Sequence, residues 1–266
     1  MASNLVNITR RPFGKTMRKD WWWVAPALTF TVLASFVVYS TWAAFQGAHY
    51  RFGPYLSPFY SPELLGSATA WFGVKPDWIP SWIPFSAALL ILWAPGGFRF
   101  TCYYYRGAYY KAMWADPIAC AVGEPRNEYR GEKKFPLILQ NVHRYFLYLA
   151  LLFLIVLAYD AFEGFRFEDP VTHVHRFGMG VGSIVLLANV ICLGLYTFSC
   201  HSLRHLIGGK KNELSKNPMQ HACYKGVSGL NKRHMLFAWI SLFVVGFSDI
   251  YIRLCSMGVW SDFRFF

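Results

Sequence analysis

The run NVHRYFLYLALLFLIVLAY at residues 141–159 decides the fold. Beyond His143 and Arg144 it carries no ionisable group but tyrosine. A helix of about 20 apolar residues crosses the hydrocarbon core of a bilayer, and its internal hydrogen bonds satisfy the backbone there. Outward from it, four more stretches read the same way. Residues 177–198 and 235–255 lie towards the carboxyl terminus, and 84–104 and 22–45 towards the amino terminus. The 84–104 stretch is interrupted by Pro95-Gly96-Gly97, and the 22–45 stretch sits behind a Trp21-Trp22-Trp23 cluster that suits an interfacial anchor. The expectation is an all-α integral membrane protein, a bundle of five transmembrane helices forming one membrane-anchor domain over residues 1–266.

Composition agrees. The 266 residues are 55% hydrophobic and 15% charged, too apolar for an ordinary soluble domain. A formal charge of +12 would suit a nucleic-acid partner in a soluble chain. Here the cations sit between apolar runs, which points to anionic lipid or acidic partner subunits instead, and to no nucleic acid. The first apolar run follows a long basic lead and lacks a small-residue cleavage pattern, so no cleavable signal peptide is expected. The six cysteines do not make a secreted disulfide framework; most fall near the expected inner ends of helices.

Cytoplasmic segments retain Lys and Arg, which sets the orientation. Arg10, Arg11, Lys15, Arg18 and Lys19 precede the first span. Arg99, Arg106, Lys111, Arg126, Arg130, Lys133, Lys134 and Arg144 surround the connection from the second to the third. Arg204, Lys210, Lys211, Lys216, Lys225, Lys232 and Arg233 precede the fifth. The other side holds only Arg51, Lys75, Arg166, Arg176, Arg253 and Arg264. The amino terminus is therefore expected in the cytoplasm and the carboxyl terminus outside. The connection over residues 46–83, rich in Pro, Trp, Tyr and Phe, is expected to lie along the outer membrane surface. The sequence has no internal repeat, no Walker motif, no dinucleotide fingerprint, no HExxH and no GxSxG, which excludes the corresponding soluble chemistries. Transport is disfavoured, because mid-span charges are nearly absent and the one clear break lies near an inner end.

Soft ligands gather at the inner ends of the spans: Cys102, Cys120, His143, Cys200, His201, His205, His221, Cys223 and His234. His201 and His205 are four apart and project from one helical face. Three readings stay open. These side chains are satisfied by headgroups and water; or His143 with His201 or His205 holds a haem b; or Cys102 and Cys120 with two of those three histidines hold a Rieske-type 2Fe–2S cluster, whose imidazole ligands raise its potential. On the outer side, His49, His173 and His175 could serve a second haem or sit among headgroups.

Two further features could contact a quinone. Residues 98–110, FRFTCYYYRGAYY, interleave tyrosine with arginine, and Tyr104 and Arg106 could hydrogen-bond a quinone carbonyl while the rings line an apolar pocket. The alternative is an aromatic belt with snorkelling arginines. Asp249 and Arg253 stand one turn apart in the fifth span; an intramembrane acid is a candidate for proton uptake or a quinone contact, and an internal ion pair fits equally well.

The runs APGGFRFTCYYYR (residues 94–106), CHSLRH (200–205) and RLCSMG (253–258) resemble the five-helix membrane anchor of a class of bacterial succinate dehydrogenase found in mycobacteria and various other bacteria. The resemblance runs from about the second span to the end of the chain. It implies a subunit of the bacterial cytoplasmic membrane that holds a flavoprotein and an iron–sulfur protein at the cytoplasmic face. Electrons from succinate would pass through them to a quinone, menaquinone above all, with catalysis belonging to the complex; similar anchors serve fumarate reduction. Better-known five-helix anchors carry two haems on histidines within their spans. This sequence departs from them, since its first, second and fifth spans hold no histidine. Some similar anchors hold a Rieske-type cluster. The resemblance then makes Cys102 and Cys120 its thiolates, and His143 and His205 its nitrogen ligands, with His201 the alternate.

Overall fold

A computed structural model describes residues 12–77, 80, 86–115, 118–125, 133–135, 137–169, 172–209 and 211–266. Residues 84 and 85 of the second expected span lie outside these, as do Arg10, Arg11, Arg126, Arg130 and Lys210.

The chain is mostly helical. Helices α1 (Val24–Gln46), α5 (His143–Glu163, continuing a 3-10 turn), α6 (Val181–Phe198) and α9 (His234–Ser256) contain four segments long and apolar enough to cross a membrane. The fold is that of an all-α, multi-pass membrane protein.

The second expected span is broken. It resolves into α2 (Ala87–Ile91), α3 (Trp93–Thr101) and α4 (Tyr103–Ala112). Pro95 brings no N–H, and its ring crowds the carbonyl four residues back, at Ile91, where α2 stops. Cys102 then takes an extended conformation, φ −61° and ψ 132°, which ends α3 and starts α4.

Two compact units are present: Met1–Val37 with Phe100–Asn141, and Val38–Arg99 with Val142–Phe266. In the first, the basic lead is tied to the loop after α4. Gly14 N donates to Gly123 O (2.9 Å), Gly123 N to Lys15 O (3.0 Å) and Thr16 Oγ1 to Ala121 O (3.0 Å). The Trp21 and Trp23 rings stack at 6.0 Å and are both exposed, as an interfacial anchor requires.

In the second unit α6 packs on both α5 and α9. The buried stripe of α9 includes Ala238, Ser241, Leu242, Val245, Ser248, Ile252 and Cys255, small enough in part for close helix approach without a hydrophobic driving force. Two antiparallel hairpins join helix ends: β1 (Arg51–Phe52) with β2 (Tyr55–Leu56), and β3 (Arg166–Glu168) with β4 (His175–Phe177). The carboxyl-terminal tail returns to the start of α6, where Val181 N donates to Phe263 O (3.0 Å). There Asp262 accepts from Gly182 N (2.9 Å), Tyr55 OH (2.8 Å) and Tyr251 OH (2.6 Å), placing negative charge at a helix N-terminus. A Cβ on Gly182 would fall on the Tyr55 ring, so the close approach requires glycine.

The 46–83 connection does not simply cover the surface. Residues 55–62 are all buried, while Trp71 and Phe72 remain exposed. The physical reason lies in two membrane-embedded carboxylates that need donors. Ser57 donates to Asp249, and Ser61 donates to Asp160 of α5. Tyr60 OH closes the end of α1 by donating to Ala43 O (2.7 Å).

Candidate functional site

In the first unit, a cavity of about 470 Å³ lies between α4 and the first two turns of α1. Ala25, Pro26 and Thr29 line it from α1, and Trp22 from the turn that precedes the helix. Tyr103, Tyr104 and Lys111 bring polar groups from α4, and Gly107, Ala108 and Ala112 leave the room. A Cβ built on Gly107 meets nothing within 4 Å. The volume falls in the range of small-molecule pockets, and the lining, apolar with a few donors, has their usual character. Of the expected quinone contacts, Tyr104 lines this cavity. Arg106 is not among its lining residues: its guanidinium donates to Gln140 Oε1 (2.6 Å) and lies 4.4 Å from the centre of the Tyr103 ring. Cys102 is buried and Cys120 exposed, the Cys120 carbonyl accepting from Arg18 Nη1 at 3.0 Å.

In the second unit, a cluster of rings gathers where α3, α5, α6 and α9 meet. His143, the first residue of α5, is buried and stacks on Phe98 (4.6 Å between centres, 8° between planes). Phe98 meets Tyr196 edge-on at 5.4 Å, and Tyr196 stacks on His234 at 5.1 Å. The Arg99 guanidinium sits 4.8 Å from the centre of the Tyr196 ring and donates to Ser241 Oγ (3.0 Å). His143 Nε2 is 3.1 Å from the Sγ of Cys200, and His234 Nδ1 is 2.7 Å from Ser199 Oγ. Like Cys102, Cys200 is an extended residue between two helices, φ −63° and ψ 136°, at the start of α7 (His201–Gly208). On α7 the His201 and His205 rings lie edge to face at 4.9 Å. Burial, with the charges of His205 and Arg204, pushes His201 below the ordinary histidine value.

The cysteine brought against His143 is therefore Cys200, one of the soft ligands of the sequence but not one of the two thiolates expected for a cluster. The available signal was its place directly after a span and before His201, the setting Cys102 has after α3. Among the described residues, no group of three or more His, Cys, Asp or Glu side chains is arranged to hold a metal ion. A cluster with two thiolates and two imidazoles needs four donors. The described arrangement does not present such a set.

Asp249 and Arg253, 0% and 3% exposed, form an internal pair in the second unit. The Asp249 carboxylate accepts from Tyr39 OH (2.5 Å), from Ser57 and from Arg253 Nε (3.3 Å). Arg253 Nη1 also donates to Ala48 O (2.8 Å), and its guanidinium stands 5.3 Å from the centre of the Trp42 ring. A second carboxylate, that of Glu63, takes Arg51 Nη2 (2.8 Å) and Tyr50 OH (2.8 Å). Burial and the Glu63 contact push the Tyr50 phenol up to about 12.

Comparison with known proteins places these features in a family. A family model for the actinobacterial succinate dehydrogenase subunit SdhC matches residues 24–258. A chain of the Mycobacterium smegmatis Sdh1 complex in the apo form is 44% identical, with a TM-score of 0.83 over 97% of this chain and 96% of that one. No curated protein gives a significant match. The match to SdhC spans most of the chain and the solved structure agrees in both sequence and fold, so the chain belongs to the actinobacterial SdhC family of succinate dehydrogenase membrane-anchor subunits.

Proposed function

We propose that this chain anchors the flavoprotein and iron–sulfur subunits of a succinate:quinone oxidoreductase to the cytoplasmic face of a bacterial plasma membrane, and that quinone is reduced in the cavity between α1 and α4. The single observation that carries the quinone assignment is that Tyr104 lines a cavity of about 470 Å³. The four long helices and the proline-kinked α2–α3 segment make five crossings, with the amino terminus inside; the distribution of Lys and Arg supports that orientation.

The soluble subunits oxidise succinate to fumarate, releasing two electrons and two protons. A quinone, menaquinone in an organism that uses it, takes up two of each to become the quinol. Aromatic walls and small side chains accept the planar head group, and the Tyr103 and Tyr104 hydroxyls and the Lys111 ammonium supply donors for its carbonyl oxygens. Lys111 adds charge stabilisation to the anionic, partly reduced ring. The Asp249–Arg253 pair is assigned to holding α1 and α9 to residues 48–57 rather than to quinone, because the donors around its carboxylate belong to this chain. Among the described residues, the contact between Cys200 and His143 offers two donors where a Rieske-type cluster takes four.

Gly107→Leu tests the assignment, because its added Cβ enters open space and the fold tolerates it. Quinone reduction by the purified complex should fall on the order of tenfold, the factor that accompanies a loss of about 1.4 kcal/mol of binding. Succinate oxidation with a soluble dye acceptor should persist. Wild-type quinone turnover in Gly107→Leu and in Tyr104→Phe would remove the cavity from the reaction.

A further inference from the structure

We infer that the free face of helix α8 (Pro218–Asn231) is a docking surface for a soluble protein subunit that presents carboxylates around a closely fitting contact; the inference rests on the anchor function proposed above. Helix α8 buries none of its residues. It is held by α7 and the end of α6: Gln220 donates to Ile207 O, Arg204 Nε donates to Ser228 Oγ (3.0 Å), the Arg204 guanidinium lies 5.1 Å from the centre of the Tyr224 ring, and Asn231 Nδ2 donates to Ser199 O (2.7 Å). Residues 220, 224 and 228 thus define the attached face.

The opposite face runs through Ala222, Lys225, Gly226 and Gly229 to Lys232 and Arg233, all exposed. Among the described residues, Lys225, Lys232 and Arg233 have no acidic partner. Between residues 201 and 233 the sole acid is Glu213, and Lys216 already occupies it at 2.7 Å. The surface is therefore a patch of uncompensated positive charge, complementary to an acidic partner.

Two glycines inside this helix are unexplained by the chain itself. Glycine weakens a helix interior relative to alanine. Neither Gly226 nor Gly229 has a positive φ, and a Cβ on either would meet nothing within 4 Å. Neither backbone conformation nor internal packing calls for them. What they permit is close approach of another molecule's surface between the flanking cations. A lipid surface is the poorer occupant, because a helix lying in the interface needs a row of Trp, Phe or Leu on its buried side, and this face offers Met219, Ala222 and Leu230 but no aromatic ring.

The test uses the intact complex, purified from membranes through the anchor chain. Two variants of independent kind are compared with wild type: Lys225→Glu with Lys232→Glu, and Gly226→Trp with Gly229→Trp. The amount of soluble subunits retained per anchor is measured across a salt series, with Lys75→Glu as a charge-reversal control outside the proposed surface. Both double variants should lower the salt concentration at which the soluble subunits are lost and reduce their retention at least about tenfold, as opposed charge and lost fit imply. Retention equal to wild type throughout the series would overturn the α8 surface while leaving the anchor function intact. Loss of co-purified anionic lipid with the soluble subunits still bound would overturn it in favour of a lipid contact. Failure of the wild-type anchor to retain any soluble subunit would instead refute the anchor function itself.

Discussion

Replacing Asp249 by asparagine separates the two roles open to an acid inside a membrane span. Asp249 is 0% exposed and Arg253 only 3%. Asparagine keeps one oxygen for Tyr39 or Ser57 but removes the charge opposite the guanidinium. Arg253 would retain Ala48 O at 2.8 Å and the face of Trp42, neither of which carries a formal charge. Removing one partner of a buried pair costs about 3–5 kcal/mol. The separations here, 3.3 Å at Nε and 3.5 Å at Nη2, are long for a tight ion pair and favour the lower end, about 3 kcal/mol. At roughly 2–4 °C per kcal/mol for a chain of this size, the melting temperature of the purified complex should fall by roughly 6–12 °C. Quinone turnover per folded complex should stay near wild type. The double replacement Asp249→Leu with Arg253→Met, which removes both charges, should recover most of the loss, because two matched apolar groups avoid the desolvation cost of one orphaned charge. A variant Asp249→Asn that melts with wild type yet loses quinone turnover would refute this reasoning and return the residue to the quinone.

Two other outcomes are expected. Any metal-derived visible or EPR signal that belongs to the anchor chain, over and above the signals of the iron–sulfur subunit, should disappear in Cys200→Ala and His143→Ala but survive in Cys120→Ser, because Cys200 lies against the buried His143 while Cys120 is exposed; a signal lost in Cys120→Ser and kept in Cys200→Ala would restore the thiolate first expected. Asp262→Ala removes the acceptor for Gly182 N at the start of α6 and for the Tyr55 and Tyr251 hydroxyls, costing about 2–3 kcal/mol, so an unchanged thermal melt would show that the tail does not brace α6.

Periodicity and length were enough for the four long helices, because a membrane span is set by local composition. Residues 22–45 became Val24–Gln46, and 235–255 became His234–Ser256, each within two residues at both ends. The interruption of the second span at Pro95-Gly96-Gly97 can be read from the sequence, but where its pieces begin and end cannot, because hydropathy averages over a window. Pro95 acts on the carbonyl of Ile91, and Cys102 turns the chain at a point that composition does not mark. For the 46–83 connection the sequence is silent for a different reason. Its aromatics suggested the membrane surface, but its serines decide where it goes, and what they answer lies far along the chain: Ser57 meets Asp249, and Ser61 meets Asp160.

The site shows the same division. Tyr104 could be picked out as a candidate because its chemistry is carried by its own side chain. The cavity it lines could not, since a cavity is made by what is missing: Gly107, Ala108 and Ala25 declare nothing individually. The cysteine–histidine pair stands between these cases. Both residue types could be picked out, and His143 was, but the thiol that meets it depends on how α5 packs near the junction of α6 and α7. Sequence spacing fixes which donors share a helix face, whereas a ligand set drawn from several helices depends on their relative depth and rotation. Cys102 and Cys200 illustrate the point: with almost the same backbone angles, each stands directly before the helix that follows it, and the Sγ of Cys200 lies 3.1 Å from His143 Nε2, a contact that spacing along the chain does not announce.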